Sequence, residues 1–105
     1  MNPELKAFCR VAETLNNLAI AYGKLGDKAK ERDMHERVLA IKERAYGPDH
    51  LEVAATLYNL AIAHSGLENW AKARELLERV LPIWTRAYGT DHPLTEQCKV
   101  GLLIL

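Results

Sequence analysis

The sequence predicts an all-α protein, an α-solenoid of antiparallel helix hairpins, and three observations carry that prediction. The first is an internal repeat: Val11 to His50 matches Val53 to His92 at an offset of 42 residues, with 24 of 40 positions identical. A period of 20 to 50 residues marks stacked supersecondary units, since one such unit cannot bury its own apolar face. The second is apolar spacing in steps of three and four. The third is the placement of the six glycines and four prolines, too few for a turn-rich β architecture and mostly at positions where a helix would stop.

The spacing predicts five helices, near residues 3–25, 28–46, 51–67, 70–88 and 93–105. Phe8, Val11, Leu15, Leu18, Tyr22 and Leu25 share one face of the first. Gly23 and Gly26 weaken its end, and Asp27 is placed to cap the second helix. Met34, Val38, Ile41 and Ala45 stripe that helix, which stops before Gly47-Pro48, a glycine read as left-handed and a residue that cannot continue the helix. Leu57, Leu60, His64 and Leu67 stripe the third helix, and Asn69 is the cap candidate for the fourth. Trp70, Ala73, Leu77, Val80, Trp84 and Ala87 stripe the fourth, and Pro93 suits the first turn of the fifth.

Composition narrows the function. Fourteen Lys+Arg balance fourteen Asp+Glu, so the chain offers no electrostatic footprint for nucleic acid or an anionic membrane. Apolar residues at 49% and charged residues at 27% fit a folded soluble chain. No apolar run approaches the roughly 20 residues of a membrane helix. The stretch Met1-Asn2-Pro3-Glu4 has neither the basic nor the apolar region of a signal peptide, so a cytoplasmic location is expected. Cys9 and Cys98 lack the close spacing of a metal knuckle or a redox pair.

Three blocks are best preserved between the units: Asn17-Leu18-Ala19-Ile20-Ala21 with Asn59-Leu60-Ala61-Ile62-Ala63, Glu36-Arg37-Val38-Leu39 with Glu78-Arg79-Val80-Leu81, and Arg44-Ala45-Tyr46-Gly47 with Arg86-Ala87-Tyr88-Gly89, each of the last pair leading to Asp-His. On these residues the chain resembles the tetratricopeptide repeat (TPR), in the 42-residue form of kinesin light chains. The resemblance covers about Val11 to Pro93. It implies a single TPR-like domain over 1–105, with repeat 1 at about 11–52, repeat 2 at about 53–94 and a terminal helix at about 93–105. The family's pattern is broken in one stripe, where Trp70, Ala73, Leu77 and Trp84 of the second unit align with Lys28, Glu31, His35 and Lys42 of the first. Atypical packing of the first unit's second helix is therefore expected, with long polar stems covering apolar surface.

Candidate chemistry is sparse. His50 and His92 occupy one connector position in two units, His35 and His64 lie on helices, and no HExxH-like pair occurs, so the histidines read as structural. Ser65, the only serine, has no Gly-x-Ser-x-Gly elbow around it, and no phosphate-binding glycine loop is present. No catalytic activity and no cofactor or metal is expected. The resemblance implies that the first helices of successive hairpins line a concave, peptide-binding face. Carried over by residue, this marks Asn17 and Asn59, with Glu13, Asn16, Ile20, Lys24, Tyr58, Ile62 and Ser65 on neighbouring faces. An asparagine amide both donates and accepts, so it can satisfy both sides of a peptide unit; tying neighbouring helices together is the alternative role. Lys24 stands nearly alone, which argues against a clamp for a C-terminal carboxylate.

The expected partner is another protein or peptide. The alternative is self-association into a homo-oligomer, or membership of a longer array, because solenoids generally need about three repeats and two and a half are present. Trp70, Trp84, Leu102, Leu103 and Leu105 are the residues expected at such an interface, with Leu102 and Ile104 approaching the fourth helix and Leu103 and Leu105 left partly exposed.

Overall fold

The computed structural model describes residues 2–105. They form five helices: α1 (Pro3–Lys24), α2 (Lys28–Tyr46), α3 (Leu51–Gly66), α4 (Trp70–Tyr88) and α5 (Pro93–Ile104). No strand occurs among the described residues. Each helix packs on the next in the chain, α1 on α2 through to α4 on α5, which is the layout of a helical-repeat solenoid. The molecule measures 40 × 33 × 20 Å.

Local chemistry sets the boundaries. The side chain of Asn2 accepts from the Leu5 N–H at 2.9 Å, and that of Asp27 accepts from the Lys30 N–H at 3.1 Å, each relieving an unpaired donor of a first turn. The connector histidines do the same work. His50 Nδ1 accepts from the Glu52 N–H at 3.0 Å and His92 Nδ1 from the Leu94 N–H at 3.1 Å. Their rings stack on Tyr46 and Tyr88 at 4.7 and 4.4 Å, so the repeated Tyr-Gly-x-Asp-His unit is a complete helix stop and restart. Gly47 and Gly89 have φ of 89° and 92° with ψ of 161° and 165°; this is an extended positive-φ conformation open essentially to glycine alone, not the left-handed helical one expected from the sequence.

The α3–α4 turn departs from the sequence expectation at Asn69 and adds a feature at Glu68 that the sequence does not announce. Asn69 occupies the N-cap position without a side-chain cap bond; its amide instead lies 3.4 Å from His64 Nδ1. Glu68 takes φ of 61° where the first repeat has Gly26 at 83°, so a side chain stands in a conformation that glycine adopts freely.

The core is lopsided. The main cluster joins Leu39 of α2, Val53, Leu57 and Leu60 of α3, Leu76, Val80 and Trp84 of α4, and Cys98 of α5. Each such aliphatic side chain contributes about 1.5–3 kcal/mol by leaving water. A second, smaller cluster of Ala12, Leu15 and Val38 holds α1 to α2, with Met34 and Ile41 at its edge. The polar stripe of α2 meets both neighbouring first helices: His35 is buried, the Glu31 carboxylate lies against Gly23 of α1, and the Lys28 stem packs along Gly66 of α3. Lys42 is largely covered and pairs with Glu52 at 3.1 Å. At the far end Cys98 donates its thiol proton to the Leu77 carbonyl at 3.3 Å, and burial pushes its pKa up to about 11, so it remains a neutral donor. Arg74 donates to the Leu102 carbonyl at 3.0 Å and ties the last turn of α5 to α4.

Two predictions test this account. Glu68→Gly, which installs the residue of the sister position, relieves the left-handed strain and raises the thermal midpoint, with a gain of about 1 kcal/mol in chemical unfolding. Burial, opposed by Glu31, holds the His35 pKa below the ordinary 6.5. The folded state therefore binds fewer protons than the unfolded chain, and the stability that depends on neutral His35 is present above pH 6.5 and lost as pH falls through and below it. His35→Leu, the residue of the second repeat, makes the thermal midpoint fall less between pH 7.5 and 5 than it does in the wild type.

Candidate functional site

Two open clefts lie between successive first helices. The cleft between α1 and α3 has a volume of about 410 Å³ and is floored by Val38 and Lys42 of α2. It brings together Asn16 and Asn17 from α1 with Asn59 from α3, and Glu13 and Glu52 at its edges. These three amides come from positions separated by as many as 43 residues in sequence, and they meet because α1 and α3 repeat the same register against α2. None of the three makes a hydrogen bond among the described residues, so their donors and acceptors are open to solvent or a ligand. The Lys42–Glu52 ion pair crosses the floor, which leaves Glu13 as the cleft's unpaired charge.

The cleft between α3 and α5 has a similar volume, about 380 Å³, and opposite character. Tyr58, Ile62 and Ser65 of α3 face Ile104 and Leu105, over a floor of Trp70 and Leu77 from α4. Gly101 stands where the repeat has asparagine, and a Cβ there would come within 2.9 Å of a Leu77 methyl, so a side chain at this position would have to displace that methyl. The apolar character follows from the sequence departures: Lys28 and His35 of the first repeat are replaced by Trp70 and Leu77 in the second. Burial raises the pKa of the Tyr58 hydroxyl above its usual value, and its ring packs 5.1 Å from Trp84.

The residues marked from the sequence are thus divided. Asn16, Asn17 and Asn59, with Glu13, fall in the polar cleft; Tyr58, Ile62 and Ser65 fall in the apolar one. Ile20 and Lys24 are exposed on α1 and line neither. Among the residues expected at a self-associating end, Trp84 is only 3% exposed and belongs to the core, closed in by Tyr58. Leu102 and Leu105 pack against the main cluster, whereas Leu103 and Ile104 are 84% and 79% exposed. The expected pairing of Leu102 with Ile104 fails for a geometric reason. Two residues apart on a helix is about 200° of rotation, whereas Leu102 and Leu105, three apart, share the face of Thr95 and Cys98. Trp70 is half exposed and bridges the apolar cleft to the surface.

The polar cleft also holds Thr56 and Ala55, which the sequence reading passed over; both lie on the α3 faces next to Asn59, so the helical period could have found them. Among the described residues no three His, Cys, Asp or Glu side chains group to hold a metal ion, and no helix is long and apolar enough to cross a membrane.

A comparison with family models matches residues 10–83 to the tetratricopeptide repeat. The chain belongs to that family, whose repeats generally serve as protein–protein interaction modules without catalytic activity. No protein of curated function matches the chain.

Proposed function

We propose that the chain is a non-catalytic protein-interaction module that holds an extended partner segment across α1, α3 and α5. In this reading the amides of Asn17 and Asn59 bond the segment's backbone, and a bulky apolar side chain of the same segment enters the cleft over Trp70 and Leu77. The observation that carries the proposal is the cluster of three amides with no internal partner in one open cleft. Had Asn17 and Asn59 served to tie helices together, each would bond a neighbouring helix. The apolar cleft supplies affinity through area removed from water, and the amides supply orientation, the usual division of labour in a binding site. An unpaired Glu13 beside the amides disfavours an acidic ligand. The chain's place is the cytoplasm in this reading, and no cofactor takes part.

A second reading, self-association through the C-terminal end, draws on the adjacent exposure of Leu103 and Ile104. Val100 is also exposed beside them, but Glu96 and Lys99 interrupt the surface with charge.

Selection from a random peptide library, followed by calorimetry with the selected peptide, tests the first reading. Asn17→Ala combined with Asn59→Ala is expected to weaken binding at least tenfold with unchanged helical circular dichroism, and Ile62→Asp to do so independently. Affinity retained in both variants would place the ligand elsewhere.

A further inference from the structure

α1 and α3 can be compared position by position, because they are the same helix in two settings. Ala12, Leu15 and Ala19 are buried in α1, and their counterparts Ala54, Leu57 and Ala61 are buried in α3; this shared face meets the second helix of each hairpin. A different set is buried only in α3. Val53, Thr56, Leu60 and Ala63 are covered, while the identical residues Val11, Thr14, Leu18 and Ala21 of α1 are exposed. Val11 and Leu18 are 47% and 42% exposed against 0% for Val53 and Leu60. The difference between the two settings is α2, which packs on this face of α3, whereas no helix among the described residues packs on the matching face of α1. The outer face of α1 is therefore a helix-packing surface that the described residues leave uncovered.

Its residues point to the occupant. Ala7, Val11, Thr14, Leu18, Ala21 and Leu25 recur in steps of four and three, all exposed and all uncharged, which is the seam of a helix pair. Small and large residues alternate along it. We propose that this face pairs with the same face of a second copy of the chain, the two α1 helices antiparallel about a two-fold axis level with residue 16. That register sets Ala7 against Leu25 of the second copy, Val11 against Ala21 and Thr14 against Leu18, so every layer joins a small side chain to a large one. It is self-complementary, as an isologous contact must be. Phe8, half exposed at the edge of the seam, comes beside Tyr22 of the second copy and extends the apolar contact. The second helices of another copy are poor candidates for this role, since α3 and α5 already cover α2 and α4. The one unfavourable approach is Arg10 towards Lys24 of the second copy. Salt screens that repulsion, so the dimer tightens as ionic strength rises.

This interface lies at the opposite end of the solenoid from Leu103, and sedimentation of the full chain separates the two. The wild type is expected to dimerise at micromolar concentration, more tightly at 0.5 M than at 0.05 M NaCl. Leu18→Glu is expected to weaken dimerisation at least tenfold with its helical signal intact, and Leu103→Glu to leave it unchanged. The register is tested separately. A chain carrying Val11→Cys and Ala21→Cys is expected to oxidise to a disulfide-linked dimer well above the background set by Cys9 and Cys98, and one carrying Val11→Cys and Leu25→Cys is not. This cross-link also decides the matter should Leu18→Glu unfold. A wild type that stays monomeric at high micromolar concentration overturns the proposal, as does a dimer broken by Leu103→Glu but not by Leu18→Glu, or one that cross-links equally in both cysteine pairs.

Discussion

An amphipathic helix hairpin has two apolar faces and can cover only one of them. In this chain α3 is the first helix of a hairpin that has both faces packed, by α2 on one side and α4 on the other, and the largest cluster of buried side chains forms around it. Val53 and Leu60 are fully buried because of that position, not because of their type, as the exposure of their identical counterparts Val11 and Leu18 in α1 makes plain. The clefts, the amide cluster and the register of α5 all follow from the stacking of first helices on second helices around α3.

Stability is consequently graded along the solenoid. The α1–α2 pair rests on a small cluster and on charged stems, whereas α3, α4 and α5 share an apolar core that includes Trp84. Opening of the first hairpin would expose few apolar side chains, so local unfolding favours that end. His35 sharpens the asymmetry: a buried imidazole with an unpartnered Nδ1 stands where the second repeat has Leu77. A polar group left without a partner in the interior costs about 1–3 kcal/mol relative to one that is satisfied.

Much of the fold was legible in the residues. The repeat defined where helices stop because Gly47 and Gly89 sit at positive φ in the same place, and no ordinary residue would serve there. Asn16, Asn17 and Asn59 were recognisable from their positions on the first helices, although only the packed structure places them in one cleft and leaves their amides without internal partners. Glu68 and Asn69 were not legible. Nothing in their types signals that a glutamate takes the left-handed turn or that the asparagine turns towards His64. Trp84 misled for a related reason: a large aromatic on an apolar stripe looks the same whether a neighbour covers it or not, and here Tyr58 does.

The two clefts are not level. Relative to the repeat, the polar one is lined by first-helix positions about five residues nearer the amino end than the apolar one, an axial offset of about 7–8 Å at 1.5 Å per residue. Successive first helices are also set apart sideways, since each packs on the second helix that lies between them and not on the other. The line joining the clefts therefore runs obliquely and is longer than the axial offset, so an extended strand at about 3.3 Å per residue needs about three residues or more to join them. For the proposed binding role the surface would act as a ruler: it would favour segments in which a large apolar side chain follows or precedes the amide-bonded peptide unit by such a spacing, and a segment with the same two features set closer together would have to stretch to satisfy both.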